Sequence, residues 1–359
     1  MVQQKENKKT RTVAVVRFSA LGDVAMAIPV LYRACKAHPD TQFIMVTAGA
    51  RRKMFLNPPH NLSILPVDVH AYPWKGPLGM VRLMRRLKTE FGVTDLLDIH
   101  NVLRTRILRL TARALGIKVS TLHKDRAGRR ALTRPKNKVM RPLENSAARY
   151  ADVFRSGGFE AQGTFDGLFS GRRTAPWPFP GAKPEIRIGI APFAAHQGKI
   201  YPAEQILRVL QLIEQQYPTA TVYLFGGGAR EEAIFSQWRL HHPTAVSVPE
   251  QLHGLADELA LMNHLDVMLT MDSGNMHLAA LAGTPVVSIW GATHPYCGFT
   301  PLNTVTDDII QQQMPCRPCS VYGNRPCLRT DYACLSGISP EKVMEHLKKY
   351  IHAHEQEKK

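Results

Sequence analysis

The 359-residue sequence predicts an α/β protein of two doubly wound domains, each on a parallel sheet, facing a central cleft that holds the ligand. Three observations lead there. Short β-branched apolar runs alternate throughout with stretches of helical period, the mark of βαβ units rather than of a bundle or a sandwich. Each half opens with a strand feeding a loop and then a helix, and ligands of such domains sit beyond the carboxyl ends of the strands. Between the halves, residues 171–184 carry four prolines and two glycines, can continue neither helix nor central strand, and read as an interdomain linker.

In the first half the apolar runs predict strands over 12–19, 42–47 and 95–99, and the periodic stretches predict helices over 24–37, 78–88, 104–115 and 144–156. In the second half the strands fall at 187–192, 221–225, 267–271 and 286–290, with helices over 202–216, 229–240, 256–263 and 275–281. A last helix over 340–354 could pack across to the first domain. The predicted domains are 1–175 and 176–359.

No apolar run reaches the ~18 residues that cross a bilayer, and the run over 13–16 stops at Arg17, too short for a secretory signal. A cytoplasmic protein is expected. The formal charge of +17 is unevenly spread: residues 1–180 hold 32 Lys and Arg against 12 Asp and Glu, and residues 181–359 hold 14 against 17. The densest stretch, 104–149, has 14 basic residues and only Asp125 and Glu144 as acids. Such a field attracts phosphates on a glycolipid or a membrane surface, although a solvated basic face has the same composition. Nucleic acid is not the expected partner, because no aromatic RNA-binding pattern or zinc-finger helix accompanies the charge.

Four loops at strand ends carry the candidate chemistry. The first is Ser19-Ala20-Leu21-Gly22-Asp23, whose small turn exposes amides at a helix start, but its single glycine is no dinucleotide fingerprint. Asp23 has two readings, a helix cap or a general base, and position alone favours the cap. Asp272-Ser273-Gly274-Asn275-Met276-His277 joins a buried strand to a helix of small residues, where Ser273 and Gly274 expose amides suited to a diphosphate and His277 lies one turn on. Lys199 and Glu231 occupy the two remaining loops. Lys199 suits phosphate charge and Glu231 suits ribose hydroxyls, against the plainer roles of surface lysine and helix-start carboxylate. No Asp-x-Asp pair occurs, so the usual acidic clamp for a nucleotide-bound metal is missing and no cofactor is required for catalysis.

The segments 19–29, 96–104, 188–202 and 225–231, followed by 272–285, resemble the ordered motifs of heptosyltransferases of glycosyltransferase family 9 over nearly the whole chain. The resemblance implies a GT-B fold of two Rossmann-like domains, an N-terminal acceptor-binding domain and a C-terminal nucleotide-sugar-binding domain. It implies inverting transfer of heptose from ADP-heptose to the inner core of lipopolysaccharide. By the same resemblance Asp23 is the base, Lys199 a phosphate contact, Glu231 a ribose contact, and Asp272, Ser273, Gly274 and His277 bind the donor. Ser19, Gly22, Arg104 and Arg106 are expected at the acceptor, and residues 126–141 at the inner face of the membrane, which the protein touches peripherally. Ala194, Ala195 and Tyr201 depart from the family's usual hydroxyl and tryptophan around Lys199.

Cys316, Cys319, Cys327 and Cys334 are spaced as a four-cysteine zinc site, which would be structural and away from the chemistry; loop packing is the competing role. Two other functions are weighed against the transferase. A nucleotide-sugar epimerase of the same fold would leave the basic first domain without a purpose. A non-catalytic sugar- or nucleotide-binding protein would not need both Asp23 and Lys199.

Overall fold

Val13 to Val16 are completely buried, and this apolar run forms the central strand of the first sheet in the computed structural model, which describes residues 11–301 and 306–357. The strand is β1 (Thr12–Val16) and leads into α1 (Leu21–Ala37). There follow β2 (Gln42–Thr47), β3 (Leu62–Pro66), α2 (Gly76–Thr89), β4 (Asp95–Asp98), α3 (Leu103–Ala114) and β5 (Lys118–Thr121). The strands run parallel in the order β3-β2-β1-β4-β5. Two of them, β3 and β5, were not predicted, for a physical reason: both are edge strands whose outer flank faces no ladder, so they lack a continuous apolar run. Helices α2 and α3 lie side by side on one face, where Met80, Leu83, Met84, Leu87 and Leu108 cluster with Ala14, Val16, Ile44 and Val46.

After Lys124 the chain leaves this unit. Residues 125–146, with α4 (Arg126–Thr133), group with the second unit, and α5 (Ser146–Ser156) returns to the first, where Phe154 stacks on Phe43. The changeover then falls between Phe165 and Asp166. The division therefore differs from the expected 1–175 and 176–359 in two places. The proline-rich stretch is not a free linker: Arg173 pairs with Asp266 at 2.6 Å, and the amides of Thr174 and Ala175 donate to the Asn263 side chain at 2.9 and 3.0 Å. A segment that cannot join a ladder thus satisfies its donors on side chains of the second unit.

The second sheet contains β6 (Ile186–Ala191), β7 (Ala220–Leu224), β8 (Ala245–Ser247), β9 (Val267–Met271), β10 (Val286–Trp290) and β11 (Ile309–Gln311), all parallel in the order β11-β10-β9-β6-β7-β8. Its helices are α6 (Ala203–Gln216), α7 (Ala229–Arg239), α8 (Val248–Gln251), α9 (Leu255–His264), α10 (Gly274–Leu281), α11 (Ala333–Ser336) and α12 (Pro340–Glu357). The two strands that sequence did not reveal, β8 and β11, are again the edges, each three residues long. Helix α12 packs on α6 and β9, and Val343, Met344, Leu347 and Ile351 enter this unit's core. Among the described residues no helix is long and apolar enough to cross a membrane.

Candidate active site

In an open parallel sheet the crevice for a ligand lies where the winding reverses, between the two strands whose following loops turn opposite ways. In the first unit that point falls between β1 and β4, so the loops after Val16 and Asp98 are neighbours. Asp23 stands there, at the third position of α1. Its Oδ2 is 2.6 Å from the Arg17 guanidinium and accepts the Ala20 amide at 3.3 Å, while its Oδ1 accepts the Tyr150 hydroxyl at 3.2 Å. The cap contact is therefore present, but it is the longest of the three. Arg17 is itself buried, donates to the Ile99 carbonyl and lies over the Tyr150 ring. The Asp23 side chain keeps 23% of its surface, enough for a substrate hydroxyl to reach it.

His100, on the loop after β4, was not singled out from sequence and belongs to this group. Burial pushes its imidazole down to about 3, with the nearby charges of Arg17, Lys124 and Arg104 acting in the same direction and Asp23 against them. It is consequently neutral at physiological pH, and its buried Nδ1 has no hydrogen-bond partner among the described residues. Ser19 is exposed and Gly22 half-buried on the same turn as Asp23. The two arginines expected at the acceptor part company. Arg104 is half-buried in the first turn of α3, near enough to act on His100, whereas Arg106, two residues on and thus about 200° around the helix, is exposed on its outer face.

In the second unit the reversal lies between β6 and β9, and Ala191 is registered opposite Thr270. Lys199 and Asp272 follow these two strands, and their side chains meet at 3.2 Å with both largely buried. Ser273 is the residue before α10, and its hydroxyl contacts that of Thr270 at 3.3 Å, so the first amides of α10, from Gly274 on, have no intrahelical acceptor. An anion beside Lys199 would find these donors at the positive end of the helix. His277 is buried within α10. Glu231 closes the glycine turn before α7, accepting the Gly227 amide on Oε2 at 2.8 Å. That bond is the helix-start role weighed above, and it leaves Glu231 half-buried at the carboxyl end of β7, next to β6.

The cysteine loop is not remote from this chemistry. A side chain at Gly323 would come within 2.6 Å of Lys199 Cγ, so the loop covers the lysine's stem. Buried Arg317 ties the same loop to β10 by donating to the carbonyls of Gly291 and Thr293, and Cys319 donates its amide to Ala292. The four thiols are free, Cys334 lies in the hydrophobic core, and Cys319 donates to the Cys316 carbonyl. Among the described residues no three His, Cys, Asp or Glu side chains come together as a metal-ligating group. The basic segment 125–146 reaches this loop as well: Arg129 donates to the Tyr322 hydroxyl at 2.9 Å and Lys138 to the Pro318 carbonyl at 2.8 Å.

Gly291 tests how tightly the Lys199 loop is held. An added Cβ would lie 2.6 Å from the Gly198 carbonyl oxygen, which accepts the Ala292 amide at 2.7 Å. Because one colliding atom is backbone, Gly291→Ala is expected to cost about 1–3 kcal/mol in urea unfolding and to lower transfer activity by displacing Lys199.

Solved structures share this architecture. A glycosyltransferase family 9 protein from Veillonella parvula matches with a TM-score of 0.72 at 18% identity, covering 96% of this chain and 98% of that one. The E. coli heptosyltransferase WaaC with ADP-2-deoxy-2-fluoro heptose matches with a TM-score of 0.64 at 14% identity, covering 94% and 99%. The two Rossmann-like units thus make up the GT-B fold of glycosyltransferases. The model of glycosyltransferase family 9 (heptosyltransferase) matches residues 144–327, just over half of the chain, which belongs to that family and is a glycosyltransferase. Lipooligosaccharide heptosyltransferase 2 of Campylobacter jejuni is 22% identical over 337 residues, covering 92% of this chain and 95% of its own.

Proposed function

We propose that this glycosyltransferase moves heptose from ADP-heptose to the inner core of lipopolysaccharide, inverting the anomeric carbon and using no divalent metal at the nucleotide. The observation that carries the reading is the Lys199–Asp272 pair at the start of α10, a cation beside helix-start amides that no side chain caps, at one switch point. They suit the diphosphate of a sugar nucleotide, and two of the proteins named above are heptosyltransferases. Lys199 takes the place a metal would otherwise fill, consistent with the missing Asp-x-Asp pair. Ser273, Gly274 and His277 complete the donor side, with Glu231 at the ribose. Asp23, with Ser19, Gly22 and Arg104 around it, serves the acceptor. The acceptor is an anionic glycolipid, so the protein works in peripheral contact with the cytoplasmic face of the inner membrane.

Incubating the purified protein with a panel of nucleotide sugars and extracted core glycolipid tests this directly. Heptosyl transfer that prefers ADP-heptose, survives a chelator and yields the inverted linkage is the expected result. Hydrolysis alone, or transfer only with another sugar, overturns the donor and acceptor assignment.

A further inference from the structure

The outward face of the α2 and α3 layer is unusual in two respects at once. Across Gly76–Thr89 and Leu103–Ala114 there are eight Lys and Arg and no Asp or Glu. The same surface also exposes large apolar side chains: Tyr72 at 84%, Leu78 at 69%, Leu103 at 79% and Leu110 at 56%. On α3 the exposed residues Leu103, Arg106, Leu110 and Arg113 follow one another at three, four and three positions, a single stripe opposite the buried Leu108 and Ala112. On α2 the exposed Leu78, Arg82 and Arg85 do the same opposite Met80, Leu83 and Leu87. Arg82 lies over the Tyr72 ring at 5.5 Å. Among the described residues none of Arg82, Arg85, Arg106 and Arg113 is ion-paired with a carboxylate; Arg86 and Arg109, by contrast, pair with Glu90 and Asp98.

From this we infer that the α2–α3 face docks on an anionic lipid bilayer, its arginines on the headgroups and its leucines and Tyr72 in the acyl boundary. Leucine and arginine alternating along one helix stripe match the layered chemistry of that boundary, whereas a phosphodiester backbone has no use for exposed leucines. The placement fits as well. In a parallel sheet the helices begin at the carboxyl ends of the strands, and Tyr72, Leu78 and Leu103 stand at or just before the starts of α2 and α3, the edge that carries Asp23 and His100. The basic residues over 126–141, expected at the membrane from sequence, belong to the second unit, and two of them are spent on the cysteine loop.

This inference rests on the acceptor being a membrane glycolipid, but it is tested without donor or acceptor, so its failure and the failure of the transfer reading are separable. The full chain is co-sedimented with extruded vesicles of phosphatidylglycerol and phosphatidylcholine, and with phosphatidylcholine alone. Binding to the anionic vesicles only, weakening between low and physiological salt, is expected. Each arginine near the surface accounts for about fivefold, so Arg82→Gln/Arg85→Gln/Arg106→Gln/Arg113→Gln should weaken binding by at least about a hundredfold. Leu78→Ser/Leu103→Ser/Leu110→Ser, all on exposed positions that folding does not need, should weaken it without changing the salt dependence. Circular dichroism confirms that each variant is folded. Unchanged binding of both variants, a loss that instead follows Arg126→Gln/Arg130→Gln/Lys136→Gln/Arg141→Gln, or binding of single-stranded oligonucleotides but not vesicles overturns the proposal.

Discussion

Lys199→Ala is expected to lower turnover by about 10²–10³ while changing donor affinity by less than about tenfold. As the bond between sugar and diphosphate breaks, negative charge grows on the leaving phosphate, and a fixed cation stabilises that charge more than it stabilises the bound donor. The side chain is held in place, with its stem under Gly323 and its ammonium 3.2 Å from Asp272. The same contact supports a rival account, in which Lys199 only neutralises a buried carboxylate and its loss is structural. The rivals differ in the double variant Lys199→Ala/Asp272→Ala. Removing both charges leaves none orphaned, so stability should return toward native under either account. Turnover should return with it only if neutralisation is the whole role. Donor titration, steady-state kinetics and thermal unfolding of the three proteins give the answer, and native-like turnover of Lys199→Ala would end the phosphate role outright.

How far the site could be read from sequence depended on how local its signals are. The central strands announce themselves as apolar runs, and β9 and β10 fall on the residues expected of them, so Asp272 could be placed at a strand end with nothing but the sequence. Edge strands such as β5, with no fully buried residue, send no such signal. The excursion of residues 125–146 into the second unit is held by bonds such as Leu143 N–H to the Tyr296 carbonyl and Ser146 N–H to the Gly298 carbonyl, between segments about 150 residues apart. No local pattern encodes them, and nothing in the sequence over 125–146 assigned that segment to the second unit.

The same contrast runs through the first unit's site. Tyr150 meets Asp23 from 127 positions away and left no trace in the sequence. Arg17 did leave one: a charge directly after a buried strand and one turn before a carboxylate is a candidate partner, yet it was read only as the end of an apolar run. His100 was legible in the same way, as a histidine just past a fully buried strand, within a segment that already pointed to the family. Arg106 faces another side of α3 from Arg104, since residues two apart on a helix point different ways. Glu231 shows the opposite case. Its local role at the start of α7 is present as the Gly227 amide bond, and it also stands at the carboxyl end of β7, where the second reading places it.

Asp23→Asn is expected to cut turnover by ~10² or more while donor binding stays native. Inversion in one displacement requires the acceptor hydroxyl to attack from the side opposite the diphosphate, and the base belongs with the acceptor. Asp23 lies in the unit that does not contain Lys199 and Asp272. A carboxylate is a weak base toward a sugar hydroxyl, which places its help late in the displacement, when the bonding hydroxyl has become acidic. Asparagine retains an oxygen for the Ala20 amide or the Tyr150 hydroxyl but cannot balance the buried Arg17. A loss of about 1–2 kcal/mol of stability should follow. That loss cannot imitate the kinetic effect, because a protein stable by about 5 kcal/mol or more remains over ~99% folded after it. The cap account shares that loss of stability but predicts nearly native turnover, since the oxygen that caps is still present. Transfer rates under donor saturation, measured with urea unfolding on the same samples, separate the two; if Asp23→Asn works within about threefold of the native rate, Asp23 caps α1 and the base lies elsewhere.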